Sequence, residues 1–419
     1  MIRLIHPTGN ANVRAVADAL ARHQLLEQFH TCLADGVGVS GKVLRKLAPD
    51  TSARRRFDLP TECIRTHPLR ELTRQLAPRL KLPALTRHET GWASVDAIYH
   101  ALDRTAAKGL DASGLRGVYA YEDGALATFT AARKRGLLCA YDLPIAYWRL
   151  GRQIQSEEAE LQPEWAGTLD AMRDSPEKLE RKDRELAAAN IVFCASTFTQ
   201  RSLELYPGGL DKPVIQITYG APPLPPTENR TPNTEHRTPR SPLRVLFVGG
   251  LSQRKGLSYL FEAVGQAHKA IELTIIGRRP GRTCAALEAA LAQHRHIDTL
   301  PHSGVLEEMA RADVFVFPSL FEGFGLVLLE AMSRGLPCIT TPHTAGPDII
   351  TDGRDGYIVP IRDAAAIASR LEYLHADRDA LGALGLAAQA TANRLSWEAY
   401  GDATAAALVE HLDGQKMHQ

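Results

Sequence analysis

Two glutamates, Glu322 and Glu330, stand eight positions apart around a glycine-rich turn in the run Phe317-Pro318-Ser319-Leu320-Phe321-Glu322-Gly323-Phe324-Gly325-Leu326-Val327-Leu328-Leu329-Glu330-Ala331-Met332. The pattern predicts a strand ending at about Phe317 and a helix beginning near Gly325 that stops before Gly335 and Pro337. Gly323 and Gly325 let backbone come close to a ligand, and the first N–H groups of the helix, at its positive dipole end, suit a phosphate. Carboxylates beside such a place accept hydrogen bonds from hydroxyls, which a sugar or a ribose presents. The spacing alone carries little, because two glutamates this far apart ordinarily are solvated helix charge.

The elements that would position them repeat in two halves of the chain. Ile2 to Ile5 reads as a strand, His6-Pro7-Thr8-Gly9-Asn10 as a turn, and Val13, Val16, Ala17 and Leu20 as the buried stripe of a helix. Leu243 to Val248, the turn Gly249-Gly250, and the stripe Leu257, Leu260, Phe261, Val264 match that plan. Further strands are expected at Gly117–Tyr121, Leu137–Tyr141, Ile191–Ala195, Leu273–Ile276, Val314–Phe317 and Pro337–Thr341. Strands alternating with helices imply an α/β protein with parallel sheets covered on both faces. Seven prolines between Pro222 and Pro242 mark an exposed linker. The expected organisation is therefore 1–221, linker 222–242, 243–394, and a terminal helix over 395–419. Asp174 to Glu185 reads as a helix with Pro176 at its first position and a solvated charged face.

At 419 residues the chain has room for two or three domains of about 150 residues. Its 49 Lys and Arg against 48 Asp and Glu give a net charge of +1, which argues against nucleic acid as a partner. The six cysteines form no Cys-x-x-Cys pair, implying a reducing, cytoplasmic setting. No apolar run of signal or membrane-spanning length occurs, and the sequon-like Asn229-Arg230-Thr231 reads as accidental. Gly36-Val37-Gly38-Val39-Ser40-Gly41-Lys42 fits both a dinucleotide and a phosphate-loop pattern, but Val43 replaces the magnesium-binding hydroxyl and no well-placed acid follows, so a connection is favoured. Asp377-Arg378-Asp379 has the form of a metal motif yet follows a helical run, which favours a helix-end turn. His294, His296 and His302 lack metal-ligand spacing, and Arg54-Arg55-Arg56 reads as a solvated loop with acidic lipid or an acidic acceptor as the other possibility.

The Glu322–Glu330 stretch resembles the E-x7-E signature of the retaining glycosyltransferases of family 4, which have the GT-B fold. Leu246-Phe247-Val248-Gly249-Gly250-Leu251-Ser252-Gln253-Arg254-Lys255-Gly256 is similar to that family's strand-turn-Lys-Gly motif, and Thr344-Ala345-Gly346-Pro347-Asp348 continues the likeness, which is strong over 243–361. Before residue 243 it is looser, through Ala189–Ser202, Ile217–Ala221, Tyr119–Gly124 and Tyr141–Pro144. The resemblance implies two facing Rossmann-like doubly wound domains and a last helix, Trp397 to Leu412, crossing back to the first. It implies transfer of a hexose-type sugar, with retention, from a nucleotide diphosphate sugar to a glycan or lipid-linked hydroxyl, as in polysaccharide biosynthesis. No cofactor or metal is implied, and loose contact of the first domain with the inner face of a membrane stays open.

The same resemblance implies roles for single residues. Glu330 would hold the ribose, Glu322 with Phe324, Gly325 and Leu326 the donor sugar and phosphate, and Lys255 the departing diphosphate; Gly249 and Gly9 line the donor side. Two positions depart from the pattern. Gly250 stands where many members have Arg, leaving Arg254 as a substitute or an exposed structural Arg. Tyr121 stands where the family has His, leaving Glu122 and Asp123 as acceptor-side groups or surface acids. The departures keep open a sugar-nucleotide epimerase, a phosphorylase, or a catalytically idle sugar-nucleotide-binding protein.

Overall fold

The computed structural model describes residues 1–38, 41, 55–170, 173–223, 241–267 and 271–414. Most of the proline-rich stretch (224–240), Asn229, Arg54, and Val39, Ser40 and Lys42 of the glycine loop lie outside the described residues.

Two parallel sheets organise the chain. The first contains β1 (Ile2–Ile5), β2 (Leu26–Thr31), β3 (Ile64–Thr66), β4 (Gly117–Tyr121), β5 (Leu138–Leu143), β6 (Ile191–Cys194) and β7 (Val214–Gln216), in the order β3-β2-β1-β4-β5-β6-β7. The second contains β8 (Leu243–Val248), β9 (Ile271–Ile276), β10 (Arg295–Ile297), β11 (Val314–Phe317), β12 (Cys338–Thr340) and β13 (Gly356–Ile358), in the order β10-β9-β8-β11-β12-β13. Helices cover both faces, so the central strands are apolar along their length: all four residues of β1 and of β11 are buried. In each sheet the strand order reverses beside the first strand. Ile2 pairs with Gly117 across one reversal, and Val245 with Val314 across the other. Ligands of such sheets bind outside the carboxyl ends of the strands at that crevice. The loops after β1, β4, β8 and β11 are thereby placed to form a site.

The last helix, Trp397–Gly414, crosses back onto the helix Ala11–Arg22. A Cβ added at Gly401 would lie 2.4 Å from the Ala15 carbonyl oxygen, so the two backbones touch there. Asp402 ties down the edge of the contact, 2.8 Å from Arg22 and 2.9 Å from His23. Tyr219, at the end of the first half, places its ring 4.9 Å from Phe324, 5.6 Å from Trp397 and 5.1 Å from Tyr400. This aromatic nest joins the crossing helix to the loop that carries Glu322.

Several elements differ from the sequence expectation. The strands β2, β3, β7, β10 and β13 are additional; β10 is the edge strand Arg-His-Ile, in which His296 contacts the Gly277 carbonyl at 2.9 Å, while His294 stacks on Phe261. Phe261 is half-buried, lying between Trp165 and His294. The helix Pro176–Ala188 begins on a Ser175 cap as expected, and Glu177, Glu180 and Arg184 form an exposed charged face, but Lys182 and Glu185 are buried. Glu185 accepts hydrogen bonds from the Asp123, Ala125 and Leu126 amides, and Asp103 from those of Ala127 and Thr128. Two carboxylates thus cap the helix Leu126–Arg133 that follows β4. Arg55 likewise is no solvated loop charge; it is buried and reaches Glu71 at 3.3 Å and the Pro7 carbonyl at 3.2 Å.

Candidate active site

Glu322 sits in the turn after β11, buried, and one of its oxygens gathers three donors. Arg254 Nη1 and Ser319 Oγ each lie 2.9 Å from Oε1, and Lys255 Nζ is paired to the same atom. Lys255 and Arg254 come from the short helical turn Gln253–Lys255 after β8, so the two loops at the strand-order reversal meet in this ion cluster. Lys255 also stands over the Phe317 ring at 4.7 Å. Burial pulls its pKa down to about 8; Arg254 acts in the same direction, and Glu322 offsets part of it. Burial alone would raise the Glu322 pKa, but Lys255 and Arg254 outweigh it and hold the carboxylate below its ordinary range.

The helix Leu326–Ser333 begins immediately beyond, with Gly325 at its cap in the left-handed region (φ 83°). The reversal of chain direction needs that conformation, and a residue with Cβ adopts it only at a cost. The Leu328 amide bonds the Gly325 carbonyl at 2.9 Å, and the amides before it have no acceptor within the helix. Glu330 lies farther along, 3.0 Å from His302 Nε2. It opens onto a cleft of about 900 Å³ between this helix and Ala11–Arg22, lined also by Arg14, Asp18, Leu326 and Trp397. In that cleft burial, helped by Asp58, raises the Asp18 carboxyl to about 6.

Residues of the first half clamp this loop. Gly323 passes so close to the chain at Pro144 that a Cβ would lie 1.9 Å from its carbonyl oxygen. The Gly323 carbonyl accepts from Ser196 and, at 2.9 Å, from Thr199 Oγ1. Asp348 accepts from the Thr197 amide at 3.0 Å and Gln216 at 3.1 Å. On the β8 side, Thr168 takes Ser252 Oγ at 2.7 Å on its carbonyl and the Gln253 amide at 2.8 Å on its hydroxyl. Buried Glu158 accepts from Gln253 at 2.7 Å and Arg362 at 2.8 Å. Sequence reasoning did not single out Ser196, Thr199, Thr168, Glu158 or Arg362. Each is an ordinary polar residue whose partner lies far along the chain.

The structure thus brings Lys255, Arg254, Glu322, Phe324, Gly325, Leu326 and Glu330 onto one pair of loops and one helix. Gly249 uses its amide to reach the Ile276 carbonyl at 2.9 Å, and Gly9 gives its carbonyl to Arg14 at 2.5 Å, so both are turn formers beside the crevice. Tyr121 is buried against His6, ring centroids 4.6 Å apart, and its hydroxyl has no hydrogen-bond partner among the described residues. Glu122 turns onto Lys182 at 2.8 Å, and Asp123 meets the same ammonium at 3.2 Å. Asp377 caps the helix Arg378–Asn393 by accepting from the Ala380 amide, the helix-end role expected of it. One trio with metal-ligand spacing among the described residues, His88, Glu89 and Asp174, lies outside this site, and Lys178 already sits 3.0 Å from Asp174.

Residues 242–377 match the family described as "Glycosyl transferases group 1". That segment is where the chain is similar to the group 1 glycosyltransferases. Within curated proteins, the chain is similar to a protein of Salmonella typhimurium described as "Putative colanic acid biosynthesis glycosyltransferase WcaL", 32% identical over 34% of this chain and 39% of the relative. It is also similar to the phosphatidyl-myo-inositol mannosyltransferase of Mycobacterium leprae, 34% identical over 32% of this chain and 37% of the relative. The chain therefore spans under two-fifths of the length of these two relatives. Among solved structures, a sucrose-phosphate synthase from Thermosynechococcus elongatus aligns over 99% of both chains with a TM-score of 0.67 and 18% identity. HepE of Anabaena, solved with UDP and glucose, aligns over 98% of this chain and 99% of its own, with a TM-score of 0.62 and 15% identity. These two likenesses bear on the fold, and the fold is GT-B: two Rossmann-like sheets facing across a crevice, with the last helix crossing back. No helix among the described residues is long and apolar enough to cross a membrane.

Proposed function

We propose that this chain is a retaining glycosyltransferase that moves a hexose-type sugar from a nucleotide diphosphate sugar to a hydroxyl of a glycan or lipid-linked acceptor. The observation that carries the reading is the convergence of Lys255, Arg254 and Ser319 on Glu322 at the start of the helix Leu326–Ser333. On donor binding, Lys255 and the free amides of Gly325 and Leu326 take the diphosphate, Glu322 turns to the sugar hydroxyls, and Glu330 holds the ribose. The sugar C1–oxygen bond to the diphosphate breaks as the acceptor oxygen bonds C1 on the same face, and the acceptor proton passes to the departing phosphate oxygen. Negative charge grows on the leaving group, so an ammonium and oriented amides favour the transition state over the ground state. The charge is supplied by the protein, and the reading calls for no metal or cofactor. Six free cysteines support a reducing, cytoplasmic setting.

The test is a thermal-shift screen with UDP-, GDP- and ADP-sugars, since a ligand of the native state raises the melting temperature. It is followed by NMR of the product made from the donor that binds. UDP-sugars come first, because HepE was solved with UDP and glucose. Stabilisation by one donor and a product of unchanged anomeric configuration are expected. An inverted product would end the retaining assignment; release of nucleotide only with free phosphate would make the protein a phosphorylase; binding without release would make it an idle binder.

A further inference from the structure

One buried carboxyl of the first half serves neither the ion cluster nor a helix cap. Asp142, near the end of β5, is buried, and the Tyr119 hydroxyl donates to its Oδ2 at 2.7 Å. Its Oδ1 is buried too and has no hydrogen-bond partner among the described residues, nor has the hydroxyl of Tyr121, its register neighbour on β4. Burial and the Tyr119 bond alone set the acidity of this carboxyl, with no Lys or Arg in reach. Tyr219 and Tyr400, both buried, lie in its field as well. Tyr219 belongs to the segment that leads from the first half into the second, and Tyr400 to the crossing helix Trp397–Gly414. Those two pieces are fastened to each other. The Ala221 amide bonds the Leu395 carbonyl at 2.8 Å, and a Cβ at Gly220 would lie 2.2 Å from the Trp397 nitrogen. A single carboxyl on the first sheet therefore sits under the hinge of the molecule and the helix that crosses it.

We propose that Asp142 is a proton-operated latch: as the neutral acid it seats Tyr219 and Tyr400 against the first sheet, and as the carboxylate it loosens them. A buried carboxylate with one donor and no cation is relieved only by water. Water reaches it when a packed element shifts, and the strands beside it are tied by ladder hydrogen bonds on both sides. The hinge segment and the crossing helix are what is left to give. The other titratable groups around the carboxyl stay neutral at pH 7. Burial drives Tyr119, Tyr121, Tyr219 and Tyr400 well above the ordinary phenol range. Burial, helped by Asp142, pushes the Cys194 thiol of β6 up to about 12, and burial holds His6, beside Tyr121, down at about 4. The helix Ala11–Arg22 presents Asn12, which reaches the Tyr219 hydroxyl at 3.4 Å, while Asp402 of the crossing helix turns onto Arg22. Asp348, beyond Cys194, already accepts from Thr197 and Gln216. Asp142 itself is pushed by burial from 3.8 up to about 7. Its folded-state value lies above the unfolded one, so its stabilisation is complete below about pH 4 and is lost as pH rises through about 7. Tyr219 also packs on Phe324 at 4.9 Å, which carries the release to the loop that holds Glu322. The latch is measured without any sugar or nucleotide, so it stands or falls separately from the proposed activity.

The experiment compares the full chain with Asp142→Asn, whose amide stays neutral at every pH, by melting temperature between about pH 5 and 8. The wild type is expected to lose about 3 °C or more relative to the Asn variant over that range, most of it by pH 7. Amide hydrogen exchange in the crossing helix, corrected for its intrinsic pH dependence, should quicken about tenfold or more between pH 6 and 8 in the wild type and not in the Asn variant. Tyr119→Phe removes the one donor that favours the carboxylate, so its transition should move to higher pH by about one unit. A gap between wild type and Asp142→Asn that is the same at pH 5 and pH 8 overturns the inference, as does exchange in the crossing helix that ignores pH. Should Asp142→Asn fail to fold, Tyr119→Phe decides: an alkaline shift of the transition upholds the latch, and an unmoved transition overturns it.

Discussion

Lys255 has its ordinary ammonium range pulled down to about 8 by burial, and its acidic partner Glu322 is the group a donor sugar would claim. Removing either side chain leaves the other charge buried, and under the proposed mechanism it also removes a contact to the departing diphosphate or the sugar. Lys255→Ala and Glu322→Ala should therefore each lower kcat by about a hundred- to a thousandfold. Glu330→Ala, which under the same mechanism withdraws a ribose contact made equally in ground and transition states, should chiefly raise the KM for donor. Steady-state kinetics on the donor found by the thermal screen separates these; wild-type constants in all three variants would refute the site. The pH dependence has a defined sign. The active form of Lys255 is the cation, which is the low-pH form, so kcat/KM should fall as pH rises through about 8 in the free protein. In Lys255→Arg the guanidinium stays charged throughout that range, and the alkaline limb should disappear even if the rate is lower. The same limb persisting in the Arg variant would assign the titration to another group.

The loop Phe321–Gly325 works as an element because two segments of the first half press on it, one at Pro144 and one at Ser196 and Thr199. Gly323 has no room for a side chain between its own backbone and the Pro144 carbonyl, while Ser196 and Thr199 grip its oxygen. Gly323→Ala should push the loop off the first domain, lowering the melting temperature and raising the KM for donor together; an unchanged melting curve would mean that the Pro144 segment yields instead. How much of this was legible in sequence follows from where each interaction finds its partner. The strands β1, β4, β8 and β11 are short apolar runs bounded by turns, and the spacing of Glu322, Gly323, Gly325 and Glu330 is local, so both stand out in the sequence. β2 and β10 carry Glu, Gln, His and Arg because one lies near a sheet edge and the other at one, where a polar face is tolerated. Lys182 and Glu185 look like solvent charges until Glu122, Asp123 and the capped helix after β4 are folded against them. The clamp on Gly323 is more than 120 residues from that glycine in sequence, beyond any periodicity.

At the scale of the whole molecule the two halves are joined by apolar contacts such as Phe198 on Phe321 and Tyr219 on Phe324, and by a few buried polar contacts that give the crevice its register. Glu158 is the contact most open to test, because it is wholly buried and binds Gln253 and Arg362 of the second half at once. Gln253 is also the residue next to Arg254 in the turn that delivers Lys255, so Glu158 links domain closure to the placement of the ion cluster. Glu158→Ala leaves Arg362 with its half-exposed partner Glu157 and the Ile154 carbonyl, each at 3.2 Å, and leaves the Gln253 amide with Ser258, a loss of the kind that costs about 3 kcal/mol or more when a buried pair is broken. The expected result is a larger radius of gyration by small-angle scattering, a lower melting temperature and a raised KM for donor. Saturating donor should restore the compact scattering curve, since a ligand held by both halves favours the closed state by its differential affinity. Glu158→Gln, which keeps an acceptor for Gln253 but not the charge for Arg362, should fall between the two. If Glu158→Ala scatters like the wild type and keeps its donor KM, closure rests on the Ser196, Thr199 and Asp348 contacts on the other side of the crevice. The same scattering measurement on Thr199→Ala would then show the expansion.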